Sequence, residues 1–230
     1  MPIKIYADGA DPKSILEFCE NPMIQGFTTN PSLLRKAGVS NYEEFAKEIL
    51  SKVKDKPFSF EVISDNWDDM EAEAEIISSW GENVYVKIPT MTTSGIKTTG
   101  LIKSLISKNI KVNLTCVFSY RQIDDAISVL GSTDSIISIF AGRMMDAGYD
   151  APSFIRYAVY SKKAQQKILW ASTRELFNIK QAEDAGADII TVGHDLLKKM
   201  HLIGKNLEEF SRETVQMFHD DAVKSGFKLL

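Results

Sequence analysis

Val84-Tyr85-Val86-Lys87-Ile88-Pro89 is a short apolar run of β-forming residues with one lysine set beside the proline that stops it. Runs of the same kind recur at Ile3 to Asp8, Met23 to Phe27, Phe58 to Ile63, Val112 to Val117, Ile136 to Ala141, Ile168 to Ala171 and Ile189 to Val192. Stretches of helical period separate them. Asp11-Pro12 opens the first, through about Asn21, and Pro31 opens the second, with proline at the first helical position of each. Phe45, Ile49 and Leu50 mark a third, and Trp67 to Trp80, Ile96 to Ile106, Tyr120 to Leu130 and Pro152 to Gln165 follow. Thr173 and Glu175 stand where they would cap a helix running to Gly186. Leu196 to Met200 then precedes a long terminal helix from Leu207 to Lys224.

Eight strands alternating strictly with helices within 230 residues predict a parallel sheet closed into a (β/α)8 TIM barrel, with an additional C-terminal helix over 206–225. An open doubly wound sheet is the alternative, but no GxGxxG follows the first strand and no GxxxxGKS/T occurs anywhere. No low-complexity segment or Pro/Gly/Ser-rich linker divides the chain, so residues 1–230 read as one domain.

At 44% hydrophobic and 25% charged residues the chain can fill a large core. A formal charge of -4 supplies no basic field, so neither nucleic acid nor an acidic membrane surface is expected as a partner. Cys19 and Cys116 stand far apart without CxxC or Cys/His spacing, which argues against a zinc site or disulfide framework and for a reducing compartment. No apolar run approaches the length that crosses a bilayer, and the one after Met1 is too short for a signal peptide, so a cytoplasmic location is expected.

In a closed barrel the interior is filled and chemistry sits at the C-terminal strand ends. The polar residues there are Asp8, Thr28 to Asn30, Glu61, Lys87, Asn113, Thr115 and Ser138, with Ser172 after the seventh strand. Side chains alternate with period two, so Ser59 shares a face with Glu61, Tyr85 with Lys87, Asn113 with Thr115, Ser138 with Phe140, and Trp170 with Ser172. The opposite faces carry apolar residues such as Phe58, Phe60, Val86, Ile88, Ile137, Ile139, Leu169 and Ala171, which belong under the helices. Lys87 alone reads either as a salt-bridged structural lysine or as a reactive amine, and lysines are mostly exposed. A desolvated lysine is costly as a cation, and burial lowers its pKa from about 10.4 by as much as ~3–5 units. A neutral amine attacks carbonyls, and the polar company on neighbouring strands favours that reading. Taken alone, Asp8 and Asn30 read equally as cap or turn residues, and Arg143 and Arg174 as solvated loop charges.

Phe27-Thr28-Thr29-Asn30-Pro31-Ser32 resembles the TTNPS signature of the transaldolases, and Val86-Lys87-Ile88-Pro89 resembles that family's Schiff-base lysine motif. Val112-Asn113-Leu114-Thr115, Ile137-Ser138-Ile139-Phe140-Ala141-Gly142-Arg143 and Ala171-Ser172-Thr173-Arg174 are similar to its fifth-, sixth- and seventh-strand motifs, in family order. The length is that of the short transaldolase-like group, which includes the fructose-6-phosphate aldolases.

The resemblance implies a (β/α)8 barrel acting on a sugar phosphate. Lys87 would form a Schiff base with the C2 ketone of a ketose phosphate, and Asp8 would take the proton of the C4 hydroxyl as the C3–C4 bond breaks. Glu61 and Thr115 would position a water for the carbinolamine and imine steps. Asn30, Asn113 and Ser138 would hydrogen-bond the retained dihydroxyacetone unit, and Arg143, Ser172 and Arg174 would hold the phosphate. No cofactor and no metal are implied, because the protonated imine is itself the electron sink. Transaldolases proper pair a glutamate on strand three with a phenylalanine on strand six, where the aldolases carry glutamine and tyrosine; Glu61 and Phe140 follow the transaldolase pattern.

Two positions depart from the family pattern: Gly9, where a small hydroxyl residue often follows the aspartate, and Ile139, where proline is frequent. In short members the terminal helix packs between subunits in rings of five or ten. Leu207, Phe210, Val215, Phe218 and Val223 accordingly imply a homo-oligomer, a pentamer or decamer. The alternatives are an aldolase releasing free dihydroxyacetone, a catalytically silent sugar-phosphate-binding barrel and, more remotely, a metal-dependent lyase using Asp8, Glu61 and His194.

Overall fold

The computed structural model describes residues 2–229; Met1 and Leu230, the ends of the 1–230 span, lie outside the described residues. The strands are β1 Lys4–Asp8, β2 Ile24–Thr28, β3 Phe58–Glu61, β4 Val84–Pro89, β5 Val112–Val117, β6 Ser135–Ile139, β7 Gln166–Trp170 and β8 Ile189–Gly193. Each pairs in parallel with the next, and β8 pairs with β1, which closes the barrel that the periodicity predicts. The helices between them are α1 Pro12–Cys19, α2 Pro31–Lys36, α3 Tyr42–Lys52, α4 Trp67–Ser78, α5 Thr99–Ser107, α6 Tyr120–Leu130, α7 Ala141–Asp146, α8 Ala151–Ser161, α9 Phe177–Asp184 and α10 His194–Leu197.

Contacts group the residues into two compact units, Met1–Leu197 and Lys198–Leu230. The first holds the barrel. The second holds a 3-10 turn, Met200–Leu202, and helix α11, Leu207–Ser225. Asn206 opens α11 by accepting from the Glu208 and Glu209 amides at 2.9 and 3.1 Å, and no residue of this helix is buried. Among the described residues, no helix is long and apolar enough to cross a membrane.

Short polar residues cap the starts of α1, α2, α3, α4 and α6. Asp11 accepts from the Ser14 amide at 2.8 Å ahead of Pro12, and Asn30 accepts from the Leu33 amide at 3.1 Å ahead of Pro31. Ser119 and Gln122 close a capping box at α6. Along the strands, period two separates two apolar sets. Val86, Ile88, Ile137 and Ile139 are fully buried on the helix side, where each such side chain contributes about 1.5–3 kcal/mol. On the inner side Tyr6, Tyr85, Ile136, Leu169, Ala171 and Ile189 form a cluster with Phe140 packed against it. Tyr85 donates to Asp134 at 2.7 Å, and Asp134 pairs with Lys167. Tyr6, Tyr85, Ile136 and Ile189 fill the barrel below the mouth, and Leu169, Ala171 and Phe140 reach the cavity beside the inward polar residues.

Strand seven differs from the expected parity. Leu169 and Ala171 face the interior, and the fully buried Trp170 lies on the helix side. Ser172 has φ 65, a left-handed conformation, so counting back from it by twos crosses a break in the pleat. Neither Thr173 nor Glu175 caps α9. Asn178 Oδ1 accepts from the Arg174 and Glu175 amides at 2.8 and 3.3 Å instead, while the Thr173 hydroxyl donates to the Thr191 carbonyl at 2.6 Å. The helix expected from Ile96 begins at Thr99, after an antiparallel bridge between Met91 and Lys97. Only six residues long, α7 is too short to show a period in the sequence.

Candidate active site

Sheet register sets the first contact of the site. Glu61 on β3 pairs with Lys87 on β4, and Lys87 Nζ lies 2.9 Å from Glu61 Oε2 while donating to the Thr29 carbonyl at 2.8 Å. Lys87 is 6% exposed. The lysine is ion-paired, and it also lines a cavity. A buried ion pair contributes little net stability relative to apolar packing, so folding alone does not account for this one.

Asp8 ends β1 beside Thr28 of β2, whose hydroxyl donates to Asp8 Oδ1 at 2.7 Å. Burial holds the Asp8 carboxyl above the usual carboxylate range; Lys87 and the Thr28 hydrogen bond pull it down, and Glu61 pushes it up again. Asp8 does not cap α1, a task that falls to Asp11. Asn30 does cap α2, yet it also lines the cavity.

The cavity, of about 190 Å3, opens at the C-terminal mouth. Asp8, Asn30, Lys87, Thr115, Ser138, Phe140, Arg143, Ser172 and Arg174 line it, all of them named from the sequence. Glu61 and Asn113 do not line it. Glu61 meets it through Lys87, and the fully buried Asn113 donates to Ser59 at 3.0 Å and accepts from Ser138 at 2.6 Å. Asn113 thus orients Ser138 from behind. The Thr115 hydroxyl is buried with no hydrogen-bond partner among the described residues, at a wall the cavity reaches.

Three threonines that the sequence reading does not name as site residues, Thr28, Thr173 and Thr191, also line the cavity. Thr191 is the polar member of the inward set Ile189, Thr191 and Gly193 on β8. The alternation that finds the other strand residues applies there too.

On the opposite rim, the Arg174 guanidinium donates from Nε and Nη2 to Asp146 Oδ2 at 2.8 and 2.5 Å, which holds the Asp146 carboxyl below its usual range. Gly142 makes room for this arm. A Cβ there would lie 1.6 Å from the Ser172 carbonyl oxygen and 3.3 Å from Arg174 Cγ. The Arg143 guanidinium lies 5.8 Å from the centre of the Phe140 ring. Two guanidinium groups at one rim suit an anion with several oxygens.

Gly9 has a counterpart across the seam of the barrel. A Cβ at Gly9 would lie 2.3 Å from His194 Cε1, so the imidazole fills the space a side chain would need, its ring 5.0 Å from that of Phe18. Among the described residues, no group of three or more His, Cys, Asp or Glu side chains is arranged to hold a metal. Asp8, Glu61 and His194 therefore do not form the cluster that the metal-dependent alternative requires.

An amine paired with one carboxylate, in a cavity that a second carboxylate and two guanidinium groups also line, is a set of groups suited to carbonyl chemistry on an anionic molecule. Over residues 5–229 the chain matches the family model described as transaldolase/fructose-6-phosphate aldolase. It is 35% identical over 219 residues to "Probable transaldolase 2" of Listeria monocytogenes, covering 92% of this chain and 95% of that protein. A "Probable transaldolase" of Carboxydothermus hydrogenoformans is 38% identical over 203 residues, covering 86% and 90%. Among solved structures, orotidine 5'-monophosphate decarboxylase from Metallosphaera sedula superposes with a TM-score of 0.54 at 14% identity over 83% of this chain and 88% of that one, a likeness of fold alone.

Proposed function

The chain belongs to the transaldolase/fructose-6-phosphate aldolase family, and from that premise we propose that it transfers a dihydroxyacetone unit from a ketose phosphate to an aldose phosphate through a Schiff base on Lys87. The single observation that carries this reading is the buried Lys87 amine, which lines the cavity together with Asp8 while Glu61 holds it from the side at 2.9 Å.

Lys87 Nζ, having passed a proton to Glu61, attacks the C2 carbonyl to give a carbinolamine. Loss of water, with Glu61 and Thr115 moving the protons, leaves the protonated imine. Asp8 then removes the C4 hydroxyl proton, the C3–C4 electron pair passes into the imine as an enamine, and the aldose phosphate departs. The raised proton affinity of Asp8 suits that step, since a base is most effective when its pKa approaches the working pH. Attack of the enamine on a second aldose, with Asp8 returning the proton, re-forms the imine, and addition of water to C2 then frees the new ketose phosphate and the Lys87 amine. In this reading Asn30 and Ser138 hydrogen-bond the retained unit, with Asn113 set behind Ser138. Arg143, Ser172 and Arg174 hold the phosphate. Glu61 together with Phe140 favours transfer over release of free dihydroxyacetone.

Borohydride reduction in the presence of fructose 6-phosphate tests the reading directly. A stable adduct on the Lys87 peptide is expected, and trapping that survives Lys87→Ala would overturn it. The same reading takes the protein as a cytoplasmic homo-oligomer, a pentamer or decamer formed through α11, whose Leu207, Val215, Phe218 and Val223 are exposed. A monomeric mass in solution would reject that part.

A further inference from the structure

We propose that Thr191, on the strand that closes the barrel, is a positioning residue for Asp8, acting through Thr28 as a directed chain of hydrogen bonds. The inference rests on the acid–base role given to Asp8 above.

Thr28 and Thr191 reach Asp8 from opposite neighbours of β1. In the register, Thr28 of β2 pairs with Asp8 itself, and Thr191 of β8 pairs with Tyr6, one inward position below. Both side chains are buried, at 3% and 5% exposure. Thr28 Oγ1 lies 2.7 Å from Asp8 Oδ1 and 2.5 Å from Thr191 Oγ1. A hydroxyl carries a single proton. The Thr28 proton is given to the carboxylate, so the proton between the two threonines belongs to Thr191, and the order of donation is Thr191 to Thr28 to Asp8. Thr191 is itself held by the Thr173 hydroxyl, which donates to its carbonyl at 2.6 Å.

Two consequences follow. While Thr191 donates to Thr28, the space between the two hydroxyls is already filled by the Thr191 proton, so the Thr28 proton is directed onto Asp8 and the carboxylate keeps one orientation while the C4 hydroxyl approaches. A hydroxyl that accepts a hydrogen bond also becomes a better donor, so Thr191 favours the ionised form of Asp8, the form that acts as base. The charged groups facing Asp8 are Lys87 from β4 and Glu61 from β3; His194 of α10 lies over the adjoining Gly9.

The test compares Thr191→Val, which keeps the shape and removes the proton, with Thr191→Ser, which keeps the proton. The Asp8 carboxyl is followed by carbon-13 NMR through a pH titration of the ligand-free enzyme, with Asp8→Asn assigning the resonance. In Thr191→Val the Asp8 titration and the acid limb of kcat/KM should both move to higher pH by a few tenths of a unit. Borohydride trapping at Lys87 should persist, and Thr191→Ser should stay with the wild type. An Asp8 titration in Thr191→Val that superimposes on the wild type, or a Thr191→Ser shift equal to that of Thr191→Val, overturns the proposal. Failure of the wild type to be trapped would instead sink the Schiff-base reading, and the carboxyl titration would still decide whether the chain of hydroxyls acts on Asp8.

Discussion

On the amine side of the cavity, Asp8, Thr28, Glu61 and Lys87 stand on strands, fixed by register and bonded in two pairs, Asp8 with Thr28 and Glu61 with Lys87. On the arginine side, Arg143 and Arg174 stand beyond the strand ends, exposed, one over an aromatic ring and the other on an exposed carboxylate. The first side is largely buried, so charges there act strongly on one another; the second is exposed, and its charges are screened. Bond making needs the former, and recognition of a charged group that must also leave is served by the latter.

Replacement of Asp8 by asparagine should break the amine side most deeply. Turnover is expected to fall by roughly 10²–10⁴-fold, the usual worth of a positioned acid–base group, while borohydride trapping at Lys87 persists. Stability should move the other way. Because the folded protein holds the Asp8 proton more tightly than the unfolded chain does, the wild type loses stability as pH rises from the ordinary carboxylate range through the raised native pKa. Urea midpoints of Asp8→Asn should therefore exceed those of the wild type near neutrality, with the gap closing on acidification. A gap independent of pH would show that Asp8 is not perturbed.

Glu61→Ala should leave Lys87 buried and unpaired, at a cost of about 3 kcal/mol in denaturant unfolding. The side chains of this pair are 8% and 13% exposed, against 46% and 53% for Arg174 and Asp146. Arg174→Ala should accordingly leave stability near the wild type and act on binding. Loss of charge-assisted hydrogen bonds should raise KM for a phosphorylated substrate roughly ten- to a hundredfold with kcat largely kept. A fall in kcat with KM unchanged would move Arg174 to the chemical side of the site.

The two sides were also unequally legible. Strand residues follow period two, so the barrel, the inward lysine and most of the cavity wall could be read directly, and Thr191 obeys the same rule. The parity of strand seven is not legible in this way, because Ser172, with φ 65, breaks the alternation without a glycine to mark it. Asn178 as the group that fixes the Arg174 backbone was equally hidden: it lies inside α9, four residues on, whereas cap signals are sought before a helix. The Glu61–Lys87 contact comes from register between strands, which no single strand's sequence contains.

The smallest expected effect separates holding an arginine from merely possessing one. Asp146 Oδ2 takes the Nε and Nη2 edge of Arg174, and of the five guanidinium N–H groups three remain, on the end of the fork. That end is the one that can meet a phosphate with two parallel hydrogen bonds. In Asp146→Asn the guanidinium keeps its charge but loses the partner that selects this presentation. KM for the phosphorylated substrate should rise a few-fold, less than in Arg174→Ala, with kcat, trapping at Lys87 and the urea midpoint unchanged. Arg174→Ala and the double variant should then show the same KM, since Asp146 would act only through the arginine. A further rise in the double variant would mean that Asp146 meets the substrate by another route, and a fall in KM for Asp146→Asn would mean that the carboxylate competes with the phosphate rather than presenting the arginine to it.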